Sequence, residues 1–104
     1  MFGISSKNID HIHLMEVMAG TCEVCEDGKW DKRELFMTAG EWYMTVCGTG
    51  PTVKESRDEA YSIIDQVVIP NSPGYRHDIG ERLKDAIPKL KAMGFCKEWV
   101  YGSN

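Results

Sequence analysis

The spacing of apolar residues changes once, near the middle of the chain, and this change constrains the fold more than any other feature. Up to about residue 50, apolar and polar side chains alternate in short runs bounded by glycines, as they do in β-strands. Beyond Pro51, apolar residues recur at helical spacing. The sequence therefore predicts an α+β fold, mainly antiparallel β, in which strands precede helices.

The first half predicts three strands and one tight turn. Asp27-Gly28 is a pair typical of the two-residue turn of a β-hairpin. Ala39-Gly40 marks a second connection between strands. Trp42, Met44 and Val46 would share one face of the last strand, where such residues usually form core. The predicted strands are residues 9–17, 34–38 and 42–47.

The first predicted helix begins after Pro51 with a capping box. The Thr52 hydroxyl and the Glu55 carboxylate lie three residues apart, so each can satisfy a backbone N–H that the first turn leaves free. The apolar stripe of this helix comprises Val53, Ala60, Ile63, Ile64 and Val67. A short apolar strand, VVIP, follows and ends at Pro70, and NSPG at 71–74 predicts a turn.

A second amphipathic, C-terminal helix is predicted between Asp78 and Gly94. Asp78 is the expected N-cap, with Glu81 at the third helical position. Gly94 is the expected stop. Pro88 has no N–H to donate, so either the helix kinks there or a second short helix begins at Asp85 with Pro88 in its first turn.

Length and composition exclude several classes of protein. The 104 residues suffice for one domain, 1–104, that buries roughly two thirds of its unfolded surface. The net charge is −4, and no run of Lys or Arg is typical of nucleic-acid binding. No apolar stretch approaches the roughly 20 residues of a membrane span, and the first residues lack the pattern of an export signal. We therefore expect a cytoplasmic protein that binds neither nucleic acid nor membrane.

The four cysteines have only half of a zinc motif. Cys22 and Cys25 have zinc-knuckle spacing, and His11 and His13 lie two residues apart in the first predicted strand. Cys47 and Cys96 stand alone, so no second ligand pair completes a site. We expect reduced thiols, no bound metal and ordinary strand histidines.

Several of these runs carry a family resemblance. MAGT at 18–21, the DG turn, TAGEWYMTVCGTGPTVKESRDEAY at 38–61 and YRHDIG at 75–80 resemble, in order and spacing, the C-terminal domain of glycinamide ribonucleotide synthetase, also called phosphoribosylamine-glycine ligase. The resemblance covers roughly residues 9–82. It implies a partial barrel-sandwich hybrid of the rudiment single hybrid type with a packed helix. It also implies an ATP-grasp enzyme that joins phosphoribosylamine to glycine using ATP and magnesium in purine biosynthesis.

The chain departs from that family in two respects. It has no glycine-rich GGYPG run before Ile9, and it lacks the ATP-grasp core, with its glycine-rich lid, nucleotide-binding lysine and acidic magnesium pair. We therefore expect no cofactor in this chain and no ligase activity from it alone. ATP and magnesium belong to the complete ligase.

The segment GYRHDIG at 74–80 has two interpretations. The resemblance implies a substrate-binding turn in which Arg76 meets the ribose phosphate, Gly80 allows close approach, and the amides of Ile79 and Gly80 add the positive end of a helix. Tyr75 and Asp78 belong to the same candidate site. In the structural alternative, Asp78 caps the helix and pairs with Arg76, while Tyr75 packs on the sheet. A capping carboxylate would compete with phosphate for the same amides.

Two functions follow as hypotheses. The chain is either a ligase part, which helps close the phosphoribosylamine site on a separately encoded ATP-grasp body, or a non-catalytic binding or oligomerisation module that keeps the fold. The missing glycine-rich run favours a lost sheet edge in both cases. Because an unpaired edge is readily filled by another chain, a homo-oligomer formed through the exposed sheet edge is a further expectation.

Overall fold

The computed structural model describes residues 1–70 and 74–102 and has an α+β fold with antiparallel pairing, which confirms the predicted fold class. Within those residues the strands form two antiparallel pairs and no closed barrel. A 3-10 turn at Ile9–His11 precedes the strands. The elements are β1 Ile12–Leu14, β2 Val17–Glu26, β3 Lys29–Thr38, β4 Met44–Val46, α1 Val53–Gln66 and α2 Leu83–Ala92.

β2 and β3 form the predicted hairpin around Asp27-Gly28. Both turn residues have positive φ, 52° and 75°, which is the conformation of a type I′ turn. The pairing then runs without interruption from Glu26 opposite Lys29 to Val17 opposite Thr38. The hairpin prediction is confirmed, and β3 is longer than the predicted strand 34–38 because it begins directly after the turn.

β1 and β4 extend the β2–β3 hairpin into a longer two-stranded ribbon, with an irregular bulge between the two pairs of strands. Leu14 lies opposite Met44 and Val17 opposite Thr38, so residues 15–16 on one strand face residues 39–43 on the other. The Glu16 carboxylate accepts the Trp42 N–H at 2.8 Å within this bulge. Glycine suits position 40, because an added Cβ there would overlap the Glu16 side chain unless that side chain shifted. The predicted strand 42–47 is shortened to β4 by this bulge.

The predicted strand 9–17 is wrong at its start, because residues 9–11 form a 3-10 turn after a buried asparagine, whereas residues 12–14 form β1 as predicted. Asn8 is 3% exposed. Its side chain accepts the Ser5 N–H at 2.9 Å and donates to the Gly3 carbonyl at 2.9 Å and to Gln66 at 3.0 Å. These bonds stabilise a tight 3-10 turn over Ile9–His11, since local side-chain bonds compete with strand pairing.

α1 begins as predicted and packs against β4. The Thr52 hydroxyl accepts the Glu55 N–H at 3.2 Å, which confirms the cap, although the Glu55 carboxylate bonds the hydroxyl rather than the Thr52 backbone. The chain's last described segment completes the cap: the carbonyls of Val100 and Tyr101 accept the N–H groups of Val53 and Lys54 at 3.1 and 2.7 Å.

The segment after α1 forms less strand than predicted. Val68 pairs with Phe2 in an isolated bridge with two backbone bonds of 2.8 Å, instead of the predicted strand VVIP. The predicted NSPG turn lies outside the described residues except for Gly74. No helix in the described part of the chain is long and apolar enough to cross a membrane.

α2 starts later than predicted and contains Pro88. It runs unbroken over Leu83–Ala92, so no second helix begins at Asp85. Its N-cap is Arg82, whose side chain makes no capping bond, and the predicted Asp78 cap is therefore wrong. The predicted stop at Gly94 is confirmed by its φ of 88°.

The chain buries less surface than its length predicts. The buried apolar side chains in the described ranges are Met1, Ile12, Ile63 and Ile87. The accessible area is 7838 Å², whereas a compact monomer of this mass exposes about 5,900 Å². The radius of gyration is 17.9 Å, against about 13 Å for a compact domain of this length. Folding therefore leaves a large surface that another chain can cover.

Candidate functional site

The GYRHDIG segment is held against α1 by Arg57. The guanidinium donates to the Ile79 carbonyl at 2.9 Å, to the His77 carbonyl at 2.7 Å and to the Glu81 carboxylate at 3.2 Å. Only 24% of the Arg57 side chain is exposed. Arg57 thus fixes the backbone of the turn by a planar group that reaches several acceptors at once.

Tyr61 holds the same turn from the next turn of α1. Its hydroxyl donates to the Arg76 carbonyl at 2.7 Å and accepts the Ile79 N–H at 3.2 Å. The positions of Arg57 and Tyr61, four residues apart, place both on one helix face. The sequence alone did not indicate the role of Arg57, because nothing local shows which backbone its side chain meets.

Arg76 and Asp78 form the predicted ion pair. The Arg76 Nε and Nη2 donate to the two carboxylate oxygens of Asp78, both at 2.9 Å. The hydrogen bond from Arg76 lowers the pKa of Asp78, and the same bond raises the pKa of Arg76. The side chains are 68% and 53% exposed, so solvent screens the pair.

Asp78 does not cap α2, because the helix begins at Leu83 and its N-cap is Arg82. The Asp78 carboxylate bonds Arg76, and Gly80, with φ of 79°, turns the chain out of the helical path before Leu83. The Ile79 amide is bonded to Tyr61. The predicted anion site at a helix end, built from the amides of Ile79 and Gly80, is therefore not formed, because α2 begins beyond them.

The charges around the turn are balanced. Arg57 and Arg76 lie beside Glu81 and Asp78. The described hydrogen bonds of the Arg76 guanidinium use Nε and Nη2, and 68% of the side chain is exposed, so a ligand can reach it from solvent. An anion would bind here by sharing the Arg76 guanidinium with the Asp78 carboxylate or by displacing that carboxylate, since Asp78 already accepts hydrogen bonds from Nε and Nη2.

A cavity of about 690 Å³ lies beside the turn, within the range of small-molecule sites. One wall is the bulge and β4, with Trp42, Met44 and Val46. The prediction that these three share a core face is wrong for Trp42, which lies in the bulge before β4 and is 72% exposed. Tyr61 and Tyr75 line the opposite side, with ring centres 6.0 Å apart. The Tyr75 ring also lies 4.5 Å from the His77 ring. The cavity is thus largely apolar.

Arginine side chains supply the cationic groups of this cavity, because Arg57 and Arg76 both line it. Of the predicted substrate-binding residues, Tyr75, Arg76 and Ile79 also line it, whereas Asp78 and Gly80 do not. An apolar lining with a few polar groups is the usual form of a site that orients a small ligand.

The cysteine and histidine residues are not gathered into a metal site. Among residues 1–70 and 74–102, no group of three or more His, Cys, Asp or Glu side chains is placed to hold a metal ion. The four cysteines are free thiols in the structure. His11 bonds the Cys47 carbonyl at 3.0 Å and lies 3.3 Å from Glu59. That the purified protein is reduced and free of metal stays a prediction.

Comparison of the chain with protein-family models, with curated proteins and with solved structures found no match. The candidate site consequently rests on the geometry of the turn, α1 and the cavity.

Proposed function

We propose that this chain is a C-terminal-domain-like part of phosphoribosylamine-glycine ligase. In this proposal it docks on a separately encoded ATP-grasp body in the cytoplasm and helps close the phosphoribosylamine site. One observation carries the proposal. Two runs that resemble the ligase line one cavity: residues 38–61, through Glu41–Val46, Arg57 and Tyr61, and residues 75–80, through Tyr75, Arg76 and Ile79.

The large exposed surface also supports docking on a body. The accessible area exceeds that of a compact monomer of this mass by about 1,900 Å². A standard interface covers about 800 Å² on each partner. Trp42, at 72%, is among the exposed aromatic side chains, and it borders the cavity. An aromatic side chain at that position suits an anchor between two chains.

We assign ATP and magnesium to the body. The described residues bring together no acidic cluster for a metal ion, and the sequence has no nucleotide-binding lysine strand. The part assigned to this chain is positioning: Arg57 and Tyr61 hold the turn, and Arg76 exchanges the Asp78 carboxylate for the ribose phosphate. The exchange costs little free energy, because an exposed ion pair contributes little stability.

The test is reconstitution with a phosphoribosylamine-glycine ligase that lacks its own C-terminal domain. ADP formation that requires phosphoribosylamine and glycine should rise when the full chain is added. Arg76→Lys should raise the KM for phosphoribosylamine and leave the KM for ATP unchanged, because an ammonium lacks the bidentate fork. Asp78→Asn should lower the KM for phosphoribosylamine by releasing Arg76. Absence of stimulation, or an Arg76→Lys effect confined to ATP, contradicts the proposal.

A second candidate function is a non-catalytic binding or oligomerisation module. The observation that favours it is the outer edge of β2, which no strand among residues 1–70 and 74–102 pairs with and which does not contribute to the cavity lining.

A further inference from the structure

The β2–β3 hairpin is longer than its packing explains. Each strand has 10 residues, so the ribbon extends about 33 Å. It is a two-stranded sheet, and the described residues add no third strand. Because two strands alone are marginally stable in water, a hairpin of this length favours additional pairing.

The outer edge of β3 is protected. Near its end, the Met1 ammonium donates to the Phe36 carbonyl at 2.7 Å. Nearer the turn, the strand carries charge at most positions, and charged side chains are a common protection of sheet edges. The charged positions are Lys29, Asp31, Lys32, Arg33 and Glu34.

The outer edge of β2 has neither protection. Residues 17–22, VMAGTC, carry no charge. The Phe36 carbonyl accepts a hydrogen bond from the Met1 ammonium, so it points away from β2. Ala19 lies opposite Phe36, and these two residues therefore form a pair without mutual backbone hydrogen bonds. Ala19, Thr21 and Glu23 therefore direct N–H and C=O groups outward. No hydrogen bond from a described residue reaches those groups.

We infer that the β2 edge pairs with β2 of a second copy of this chain, antiparallel about a two-fold axis. This joins two hairpins into a four-stranded sheet, an interaction that is independent of the ligase proposal, specifies the second candidate function and uses no residue of the cavity lining.

The charges favour a second copy as the partner and β2 as the strand. In a two-fold antiparallel pair, a residue on the axis faces its own copy. An axis at Gly20 pairs no two charged residues over the whole of β2 and places Met18 opposite Cys22, whereas an axis at Thr21 would place Glu26 opposite Glu16 of the copy. Axes in the middle of β3 instead oppose like charges, which is destabilising. The like-charge pairs there would form at Asp31, Lys32, Arg33 or Glu34.

Sedimentation velocity over a concentration series tests the inference on the full chain. The wild-type protein should form a dimer. Thr21→Lys should weaken dimerisation at least about tenfold, because two ammonium groups meet near the axis. The hairpin itself should persist in this variant, since position 21 lies opposite Glu34 and gains an opposite charge.

Two variants serve as matched controls. Thr21→Val keeps an uncharged β-branched residue and should keep the dimer. Thr38→Lys adds the same charge at the far end of β3 and should also keep it. A monomeric wild-type protein, or equal loss of the dimer in Thr38→Lys, overturns the inference.

Hydrogen exchange on the wild-type protein provides a readout that does not depend on any variant folding. The amides of Ala19, Thr21 and Glu23 should become more protected as concentration rises, while those of Lys32 and Glu34 should not. Protection that is independent of concentration at all five positions also overturns the inference.

Discussion

The Arg57 guanidinium lies 5.0 Å from the centre of the Tyr61 ring, and together these two side chains bond four backbone groups of the GYRHDIG turn. Both belong to α1, whereas the turn follows some 20 residues later. The turn is therefore positioned by the helix. This arrangement places Arg76 beside the cavity regardless of the pairing of its own side chain.

Tyr61→Phe should destabilise the fold by about 1 kcal/mol, because the hydroxyl both donates to the Arg76 carbonyl and accepts the Ile79 N–H. Tyr75→Phe is the matched control, since no described residue bonds its hydroxyl, and it should leave stability unchanged. Urea unfolding measures both. Equal midpoints for the two variants would show that the Tyr61 hydroxyl does not hold the turn.

Thr52→Ala should destabilise the protein by about 1 kcal/mol through loss of the α1 cap. Asp78→Ala, by contrast, should leave the unfolding free energy almost unchanged, because Asp78 caps no helix and its ion pair is exposed. Urea unfolding compares the two. A clear loss in Asp78→Ala that Asp78→Asn restores would mean that Asp78 caps α2 after all.

The Asp78 carboxyl should titrate below its ordinary range, because the hydrogen bond from Arg76 favours the ionised form. Its pKa is lower in the folded state than in the unfolded state. The pair therefore stabilises the fold above the ordinary pKa of aspartate and loses that effect as pH falls through the lowered value. NMR titration of the Asp78 side-chain carbon measures this, and Arg76→Ala should raise the pKa. An unchanged pKa in Arg76→Ala would contradict the assigned cause.

Gly40→Ala should destabilise the ribbon by roughly 1–3 kcal/mol, because the added methyl group overlaps the Glu16 carboxylate that bonds the Trp42 N–H. Gly74→Ala is a suitable control, since a Cβ there meets no atom within 4 Å. Thermal unfolding compares them. If both variants unfold at the same temperature, the Glu16 side chain moves aside freely and the bulge does not depend on glycine.

Magnesium-ATP should not bind the isolated chain, because the sequence lacks a glycine-rich lid and a nucleotide-binding lysine strand. Isothermal titration calorimetry should show no binding heat. Micromolar affinity in that titration would place a nucleotide site in this chain and contradict the assignment of ATP to a separate body.

Features that depend on neighbouring residues were predictable from the sequence. The Asp27-Gly28 turn follows from residues that tolerate positive φ, the Thr52 cap from a hydroxyl within reach of Glu55, and the Gly94 stop from a left-handed residue after the last helical turn. The Arg76–Asp78 pair belongs to the same group, because two residues of separation suffice for a bidentate contact.

Contacts between distant residues decided the rest. Asn8 bonds Gln66, 58 residues away, and the turn that follows it replaces the first three residues of the predicted strand 9–17. Glu16 reaches across the ribbon to Trp42 and sets the bulge that shortens β4. Arg57 and Tyr61 hold the candidate turn, and the start of α2 at Leu83 leaves Asp78 without the capping role that spacing alone assigned to it. The sequence determined where the chain can turn and begin a helix, since local geometry decides that. Only the tertiary structure decided which of several possible partners each polar group bonds, because that choice depends on which elements pack together.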